Sequence, residues 1–314
     1  MKKYTYILYM TFAIVLMMTS SCQKVQGDGS LLSGEEVTVT YNLTVPEFFM
    51  LKAAGTPDVN TLMWAVYLTK DENPSSATDM SQAKLLNFDS CAITSNNINA
   101  TVKFIKDQNY VVIFWAYNSE YENYIIPQDG DLRTIRMNTT GLKSNDATRD
   151  AYYGVDYVIS AKAGSGSGVE LKRPLAQINI GTETLTVGSN TVDVESTEFS
   201  VKSLPTAFNP VTGAVSEPKD ITFEAAAPIK DNGNYLTMQS GNPVKSYTQI
   251  AMNYIFASPD QTQSYDISLK IKTNPGGDIN VAVSNVSVKG NYKTNIVGDL
   301  ITTSSVTTSQ NIVY

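Results

Sequence analysis

The sequence consists of short segments in which apolar and polar residues alternate, and turn-forming residues separate these segments. In 37–45, valine, tyrosine and leucine alternate with threonine and asparagine, and Pro46 ends the run. A period of two is typical of a strand with one buried face. The segments 62–70 and 110–117 are almost continuously apolar, which predicts central strands covered on both faces. The pattern therefore predicts an all-β fold of sandwiches or barrels.

Further strands are predicted along the rest of the chain. They cover 98–104, 168–181, 192–204, 220–224, 247–257, 265–272 and 279–288. The Asn-Gly pair at 232–233 favours a tight turn, because both residue types tolerate positive φ. Helical periodicity is confined to 48–54 and 144–153, and Ser144 or Asn145 is the expected cap of the second segment.

The length of 314 residues indicates about two domains at roughly 150 residues each. The segment 162–168 contains three glycines and two serines, a composition typical of a flexible linker. A long hairpin loop inside one domain fits the same composition. We predict an N-terminal β-sandwich over 36–165 and a C-terminal β-sandwich over 166–314, each of ordinary size for this architecture. No internal repeat is visible in the sequence.

The N-terminus has the features of an export signal. A positive pair, Lys2 and Lys3, precedes an almost entirely apolar segment at 4–18, which is shorter than the ~20 residues of a spanning helix. Small residues then lead into Cys22, an arrangement that resembles a bacterial lipobox; ordinary signal cleavage beside an incidental cysteine is the alternative. We predict a signal peptide over 1–21 and a lipidated flexible tether over 22–35, which acyl chains on Cys22 hold at the outer membrane.

Charge and composition exclude several function classes. The net charge of -7 provides no field that attracts nucleic acid, and the absence of histidine excludes Ser-His and Cys-His catalysis.

Cys91 is more typical of a small buried residue than of a nucleophile. Ser81 and Lys84 have a Ser-x-x-Lys spacing without the partner motifs of acyl-transfer enzymes. The acidic segments 71–73 and 129–131 lack the spacing of a calcium loop and are interpreted as solvated turns. We predict no enzymatic activity, no cofactor and no metal site.

A set of segments, taken in order, carries a family resemblance. The segments are Trp64–Tyr67, Val111–Tyr117, Lys143–Gly154, Val169–Thr182, Phe208–Ser216, Ile250–Ala257 and Val286–Thr302. Together, behind a lipoprotein signal, they resemble the fimbrillin-like lipoproteins of gut and oral Bacteroidales, and in particular a group whose domain has no assigned function. The resemblance implies two tandem transthyretin-like β-sandwich domains in a protein at the outer membrane, exposed on the cell surface.

The same resemblance implies a structural or adhesive role, as a pilus subunit or accessory component. The implied partners are other fimbrial subunits, or host or bacterial surface ligands. It also implies assembly by strand donation, in which the C-terminal strand of one subunit enters a groove of the next. The C-terminal tail alternates and is rich in β-branched residues, so it fits a donor strand and equally the last strand of its own domain. The donor residues would be Val306, Thr308, Gln310, Ile312 and Tyr314.

The arginines depart from the pattern of this family. Maturation by an arginine-specific protease implies an arginine in or just after the first strand, yet the only arginines are Arg133, Arg136, Arg149 and Arg173. The chain is therefore expected to be an accessory, an anchor or a relative that does not polymerise.

Three tyrosines, Tyr117, Tyr121 and Tyr124, lie in or next to the polar segment 118–128. Tyrosines with a solvent-exposed hydroxyl group are suited to the recognition of glycans or partner proteins. The alternative is that they fold back as a lid on the edge of a sandwich. The alternative function of the whole chain is a glycan-binding surface lipoprotein of a nutrient uptake system.

Overall fold

The computed structural model describes most of the chain after residue 33. The described residues are 34–46, 59–70, 80, 82–187, 189–229, 235–238, 245–301 and 308–313. Several predictions lie outside these residues: the signal peptide 1–21, the tether with Cys22, the helical segment 48–54, the acidic segment 71–73, Ser81 and the turn 232–233. Within the described ranges, no helix has the length and apolar character needed to cross a bilayer.

The described chain is composed of strands, with one turn of 3₁₀ helix at Ala147–Arg149 and no α-helix. The first strands are β1 (Glu36–Thr44), β2 (Thr61–Thr69), β3 (Lys84–Ala92), β4 (Asn97–Ile105), β5 (Asn109–Tyr117), β6 (Tyr124–Ile125), β7 (Ile135–Met137), β8 (Ala151–Val158) and β9 (Gly164–Glu170). The others are β10 (Leu175–Thr182), β11 (Thr186–Val187), β12 (Asn190–Thr191), β13 (Asp193–Phe208), β14 (Val215–Ala226), β15 (Tyr235–Met238), β16 (Lys245–Phe256), β17 (Gln263–Asn274), β18 (Gly277–Val288), β19 (Lys293–Gly298) and β20 (Thr308–Val313). The all-β prediction is confirmed.

Seven of the first nine strands form two sheets that pack face to face. One has the strand order β4-β1-β9 and the other β3-β2-β5-β8. Alternate residues of β1 point into the space between them, as the period of two predicts, and Tyr41 is fully buried there. Its ring meets Phe114 of β5 edge to face, with centroids 5.2 Å apart. This smaller core also contains Trp64 of β2.

The later strands form a second pair of sheets with the same strand order. The series β16-β10-β19 corresponds to β4-β1-β9, and β14-β13-β17-β18 corresponds to β3-β2-β5-β8. The directions also agree, because β1 and β10 each lie between one antiparallel and one parallel neighbour. In the second unit the first sheet is longer, since β15 pairs with β16 and β20 pairs with β19.

The larger core extends from the second unit onto the first. The strands β2 and β5 are covered on both faces, as predicted: Trp64 and Phe114 face the smaller core, whereas Tyr67 and Trp115 belong to the larger one. The segment between β5 and β8 contributes β6 and β7, and β7 pairs with the end of β13. A segment of the first unit therefore completes a sheet of the second.

The glycine-rich segment 162–168 is neither a linker nor a hairpin loop, because most of it forms β9, which pairs in parallel with β1. A Cβ atom on Gly166 would lie 2.9 Å from the Tyr41 ring and 2.9 Å from Val39. The glycine is thus needed for close packing rather than for flexibility. The predicted bounds of 36–165 and 166–314 fall inside this strand, and the division into domains stays a prediction.

The predicted helical segment 144–153 contains only the 3₁₀ turn, and β8 begins at Ala151. The cap is Asp146, whose carboxylate accepts a bond from the Thr148 amide at 3.0 Å, instead of Ser144 or Asn145. Asn145 has φ of 60° and its side-chain oxygen accepts a bond from the Met252 amide of β16 at 2.8 Å. The segment 144–153 is thus held by contacts with the distant strand β16 and does not form a local helix.

Candidate functional site

The C-terminal strand β20 lies at the edge of the five-stranded sheet, and among the described strands it pairs only with β19. Ile312, opposite Thr294, is 38% exposed, and Gln310 is exposed and accepts a bond from the Ser287 amide at 3.4 Å. Val306 and Tyr314 lie outside the described residues, and for Thr308 only the backbone is described. The tail is thus the last strand of its own sheet in this structure; a donor role stays a prediction.

The first strand is held much more firmly than the last. β1 pairs on both sides, and its inward residues Val37, Val39, Tyr41 and Leu43 are all buried. Loss of β1 would therefore open a wide apolar groove. The corresponding alternate residues of β20 include a glutamine, Gln310, so the tail is a poor substitute for β1.

The three tyrosines do not form one surface. Tyr117, at the end of β5, is half-buried against the larger core, and Tyr121 is 47% exposed. Tyr124 is buried, donates its hydroxyl hydrogen to the backbone carbonyl of Arg149, and packs edge to face on Trp115 with centroids 5.2 Å apart. A recognition role is therefore wrong for Tyr124, whereas it stays a prediction for Tyr117 and Tyr121.

The acidic segment 129–131 is not a solvated turn throughout. Asp131 accepts a bond from the Tyr67 hydroxyl at 2.9 Å and from Arg133 Nη2 at 2.7 Å. Burial raises the pKa of Asp131, but these bonds outweigh it and hold that pKa below its usual value. Gly130 has φ of 73°, and a Cβ atom there would lie 2.1 Å from the Phe88 ring. The segment is thus a tightly packed anchor for the loop after β6.

A buried ionic network lies where β9 leads into β10. Arg173 and Asp150 have no exposed side-chain surface, and Arg173 Nε lies 2.6 Å from Asp150 Oδ1. The Tyr152 hydroxyl donates to Asp150 at 2.8 Å, and the guanidinium lies over the Tyr254 ring at 5.3 Å from its centroid. Burial opposes the charge of Arg173, but Asp150, Tyr254 and Tyr152 together raise its pKa. Nε and Nη2 of Arg173, the Asp150 carboxylate and the Tyr152 hydroxyl thus bond to one another away from solvent, so the network is structural rather than reactive.

We searched the described residues for a metal site, a reactive cysteine and a ligand-binding depression. They contain no group of three Cys, Asp or Glu side chains placed to hold a metal ion. Cys91 is partly buried and packs against the smaller core. A shallow depression of about 420 Å³ on the outer face of β13, β14, β17 and β18 is lined by small polar residues such as Ser200 and Ser268 and by charged residues such as Asp220. No aromatic side chain is among the described residues that line it, so it offers a sugar ring no stacking platform.

Comparison with known proteins places the chain in a family. A model described as "Family of unknown function (DUF6562)" matches residues 32–312. The chain belongs to this family. The ordered segments described above predicted a resemblance to a group whose domain has no assigned function. The match to DUF6562 confirms this prediction. A search of curated proteins finds no match to the sequence.

Several solved structures are similar to this DUF6562 protein. A proposed polysaccharide-binding protein (DUF1812) of Bacteroides thetaiotaomicron is 11% identical and covers 88% of this chain and 98% of its own, with a TM-score of 0.49. A proposed adhesin of the same species is 12% identical and covers 90% and 99%, with a TM-score of 0.49. The fimbrial anchor protein Mfa2 of Porphyromonas gingivalis is 11% identical and covers 89% and 99%, with a TM-score of 0.46.

Proposed function

We propose that this DUF6562 protein is a lipid-anchored protein of the outer bacterial surface with a structural or adhesive role and no enzymatic activity, as a fimbrillin-like subunit or accessory component. The lipobox-like sequence before Cys22 supports the anchor. The buried pair Arg173–Asp150 and the partly exposed pair Arg133–Asp131 are held by hydrogen bonds within the protein, which supports a role in which shape and sheet edges matter more than reactive groups.

The observation that carries the proposal is the position of β20. An edge strand with one partner and exposed side chains can leave its sheet at low cost, and its main-chain groups can then pair with another chain. Because Gln310 fits poorly into the groove that β1 fills, we infer addition of β20 to an open edge rather than replacement of β1.

The internal correspondence of the two units suggests which edge accepts the strand. β9 takes the place in the first unit that β19 takes in the second, and β20 covers the outer edge of β19. In the described part of the chain, β9 has β1 as its one strand partner. Gly164 and Gly168 have no side chains that would obstruct an incoming strand, and both are exposed. We therefore expect β20 of one molecule to pair with β9 of the next.

A disulfide that fastens β20 to its own sheet tests this mechanism. Val297 and Ser309 are directly opposite in the β19–β20 register, so cysteines at both positions can bond. In a Cys91→Ser background, oxidation of Val297→Cys/Ser309→Cys should abolish the SDS-resistant ladder of assembled protein, and reduction should restore it. The control pair Lys270→Cys/Asn280→Cys fastens β17 to β18, which are opposite one another there, and should leave the ladder unchanged.

A ladder that persists with β20 fastened would overturn strand donation by the tail. Deletion of 306–314 should likewise leave a folded monomer that forms no ladder. If the wild-type chain forms no ladder on cells and the monomer instead binds sugars saturably on a glycan array, the alternative role in glycan uptake replaces the adhesive one.

A further inference from the structure

Arg149 is a buried arginine whose charge is not balanced by an ion pair. The residue is 4% exposed and ends the 3₁₀ turn between β7 and β8. Its Nη1 donates to the Asn123 side-chain oxygen at 3.2 Å. Its Nε and Nη2 are fully enclosed and have no hydrogen-bond partner. Buried guanidinium nitrogens without a partner are rare and costly, so this pair of donors needs an explanation.

The other three arginines of the chain show that the donors Nε and Nη2 are suited to binding a carboxylate. Each directs Nε and Nη2 at the two oxygens of one carboxylate, which is the preferred bidentate geometry of arginine. The pairs are Arg133 with Asp131, Arg136 with Glu217 and Arg173 with Asp150. Arg149 presents the same two nitrogens, but no carboxylate of the described residues meets them. Its donor edge therefore presents the two nitrogens with which the other three arginines hold a carboxylate.

Asp146, whose charge acts on Arg149, forms no ion pair with it. Asp146 is engaged in capping, because its Oδ1 accepts from the Thr148 amide at 3.0 Å and from the Thr148 hydroxyl at 2.6 Å. Burial lowers the pKa of Arg149, and electrostatic interaction with Tyr124 and Asp146 opposes this only in part. An anion against Nε and Nη2 would remove this imbalance.

We propose that Arg149 binds a small carboxylate anion, with Nε and Nη2 each donating to one oxygen and Asn123 holding Nη1 in place. A single positive charge and one donor pair suit a monoanion of the size of formate or acetate. The site is closed by the loop that precedes Tyr124, where Asn123 donates to the Thr148 carbonyl at 2.9 Å. Entry of the anion therefore requires local opening of that loop, which surface loops undergo at low cost. The proposal is independent of the adhesive role.

Unfolding at constant ionic strength tests the site on the full mature protein. Sodium formate is exchanged for sodium chloride at pH 7, and the thermal midpoint is measured at each ratio. A ligand bound only to the native state raises the midpoint along a saturation curve, by about 5 °C at a hundred times the dissociation constant. Calorimetric titration with formate should give one site per chain.

Two variants separate this site from general salt effects. Arg149→Met removes the donors, so the formate response should disappear, whereas Arg136→Met removes an exposed, already paired arginine and should keep it. Arg149→Lys keeps the charge but loses the paired donors, and should weaken the response at least tenfold. An equal response in wild type and Arg149→Met, or an equal response of wild type to chloride and formate, would overturn the proposal. Failure of Arg149→Met to fold leaves Arg149→Lys and the calorimetric titration as the deciding measurements.

Discussion

Arg173 and Asp150 form a fully enclosed ion pair that joins the segment after β9 to the start of β8. Both side chains have no exposed surface, and Nε and Nη2 of the arginine each meet one carboxylate oxygen. Arg173 also donates its backbone amide to the Asn291 side chain at 3.0 Å, just before β19. The pair therefore connects strands of both units at the point where the chain passes from one to the other.

We expect Asp150→Asn to lower the free energy of unfolding by about 3–5 kcal/mol, because it leaves a guanidinium buried without its counter-ion. The double variant Asp150→Leu/Arg173→Met should recover most of this loss, since it removes both charges at once. Glu217→Gln, which breaks the exposed pair with Arg136, should cost about 1 kcal/mol or less. Urea unfolding of the four proteins measures these differences. Equal losses for Asp150→Asn and Glu217→Gln would contradict the structural role of the network.

The hydrogen bonds that Asp131 accepts from Arg133 and Tyr67 make stability depend on pH in the acidic range. The pKa of Asp131 is lower in the folded protein than its ordinary value, because its hydrogen bonds outweigh burial. A depressed carboxyl pKa contributes stability above the unfolded value of about 3.9, and this contribution is lost as the pH falls through the folded value. Asp131→Asn should therefore cost about 1–2 kcal/mol at pH 7 and less at pH 3.

Urea unfolding at pH 7 and pH 3 checks this dependence. Tyr67→Phe should cost about 1–2 kcal/mol at pH 7, because the Asp131 carboxylate and the Leu132 amide both lose a partner. Tyr265→Phe removes a hydroxyl from a half-buried ring and serves as the control. The interpretation fails if Asp131→Asn costs as much at pH 3 as at pH 7.

The sequence predicted the fold class because the strands of this chain carry their own pattern. The alternation of β1 and the continuous apolar runs of β2 and β5 depend on which faces are buried, and these runs were located within one or two residues. β3 was missed, because it is half-buried along nearly its whole length and lacks a clear period of two. The common strand order of the two units was also invisible, since pairing order leaves no repeat in the sequence.

The misread segments and the candidate site depend on contacts that are distant in the chain. Glycines in 162–168 are compatible with a linker, and it is their pairing with the distant strand β1, with Gly166 close to the Tyr41 ring, that makes them part of a strand. Asp131 looks like a turn residue until Tyr67 and Arg133 surround it. The unpaired donors of Arg149 result from burial by several elements, so no local motif announces them.

Cys22 is expected to carry the lipid that anchors the protein. The sequence before it resembles a lipobox, and two or more acyl chains give stable attachment where one chain is marginal. Cys22→Ser should move the protein from the membrane fraction to the soluble fraction and remove the acyl mass from its N-terminal peptide. Cys91→Ser is the matched control and should leave both unchanged. An unmodified thiol at Cys22 in membrane-bound wild-type protein would contradict the anchor.

Tyr124 and Tyr121 should respond oppositely to truncation, although they are three residues apart. Tyr124 is buried against Trp115 and Phe256, so Tyr124→Ala should cost about 3–5 kcal/mol of unfolding free energy through loss of apolar contact and formation of a cavity. Tyr121 is nearly half exposed, so Tyr121→Ala should change stability by no more than about 0.5 kcal/mol.

A recognition role can therefore be assigned only through Tyr121 and its neighbour Tyr117. If Tyr121→Ala lowers attachment of cells or of purified protein to a surface ligand while the unfolding midpoint stays unchanged, the ring contacts that ligand directly, because no structural loss accompanies the effect. Glu120→Ala, on the same exposed loop, is the control for a general change of loop charge. Equal attachment by wild type and Tyr121→Ala would mean that the loop closes the edge of the larger core and recognises nothing.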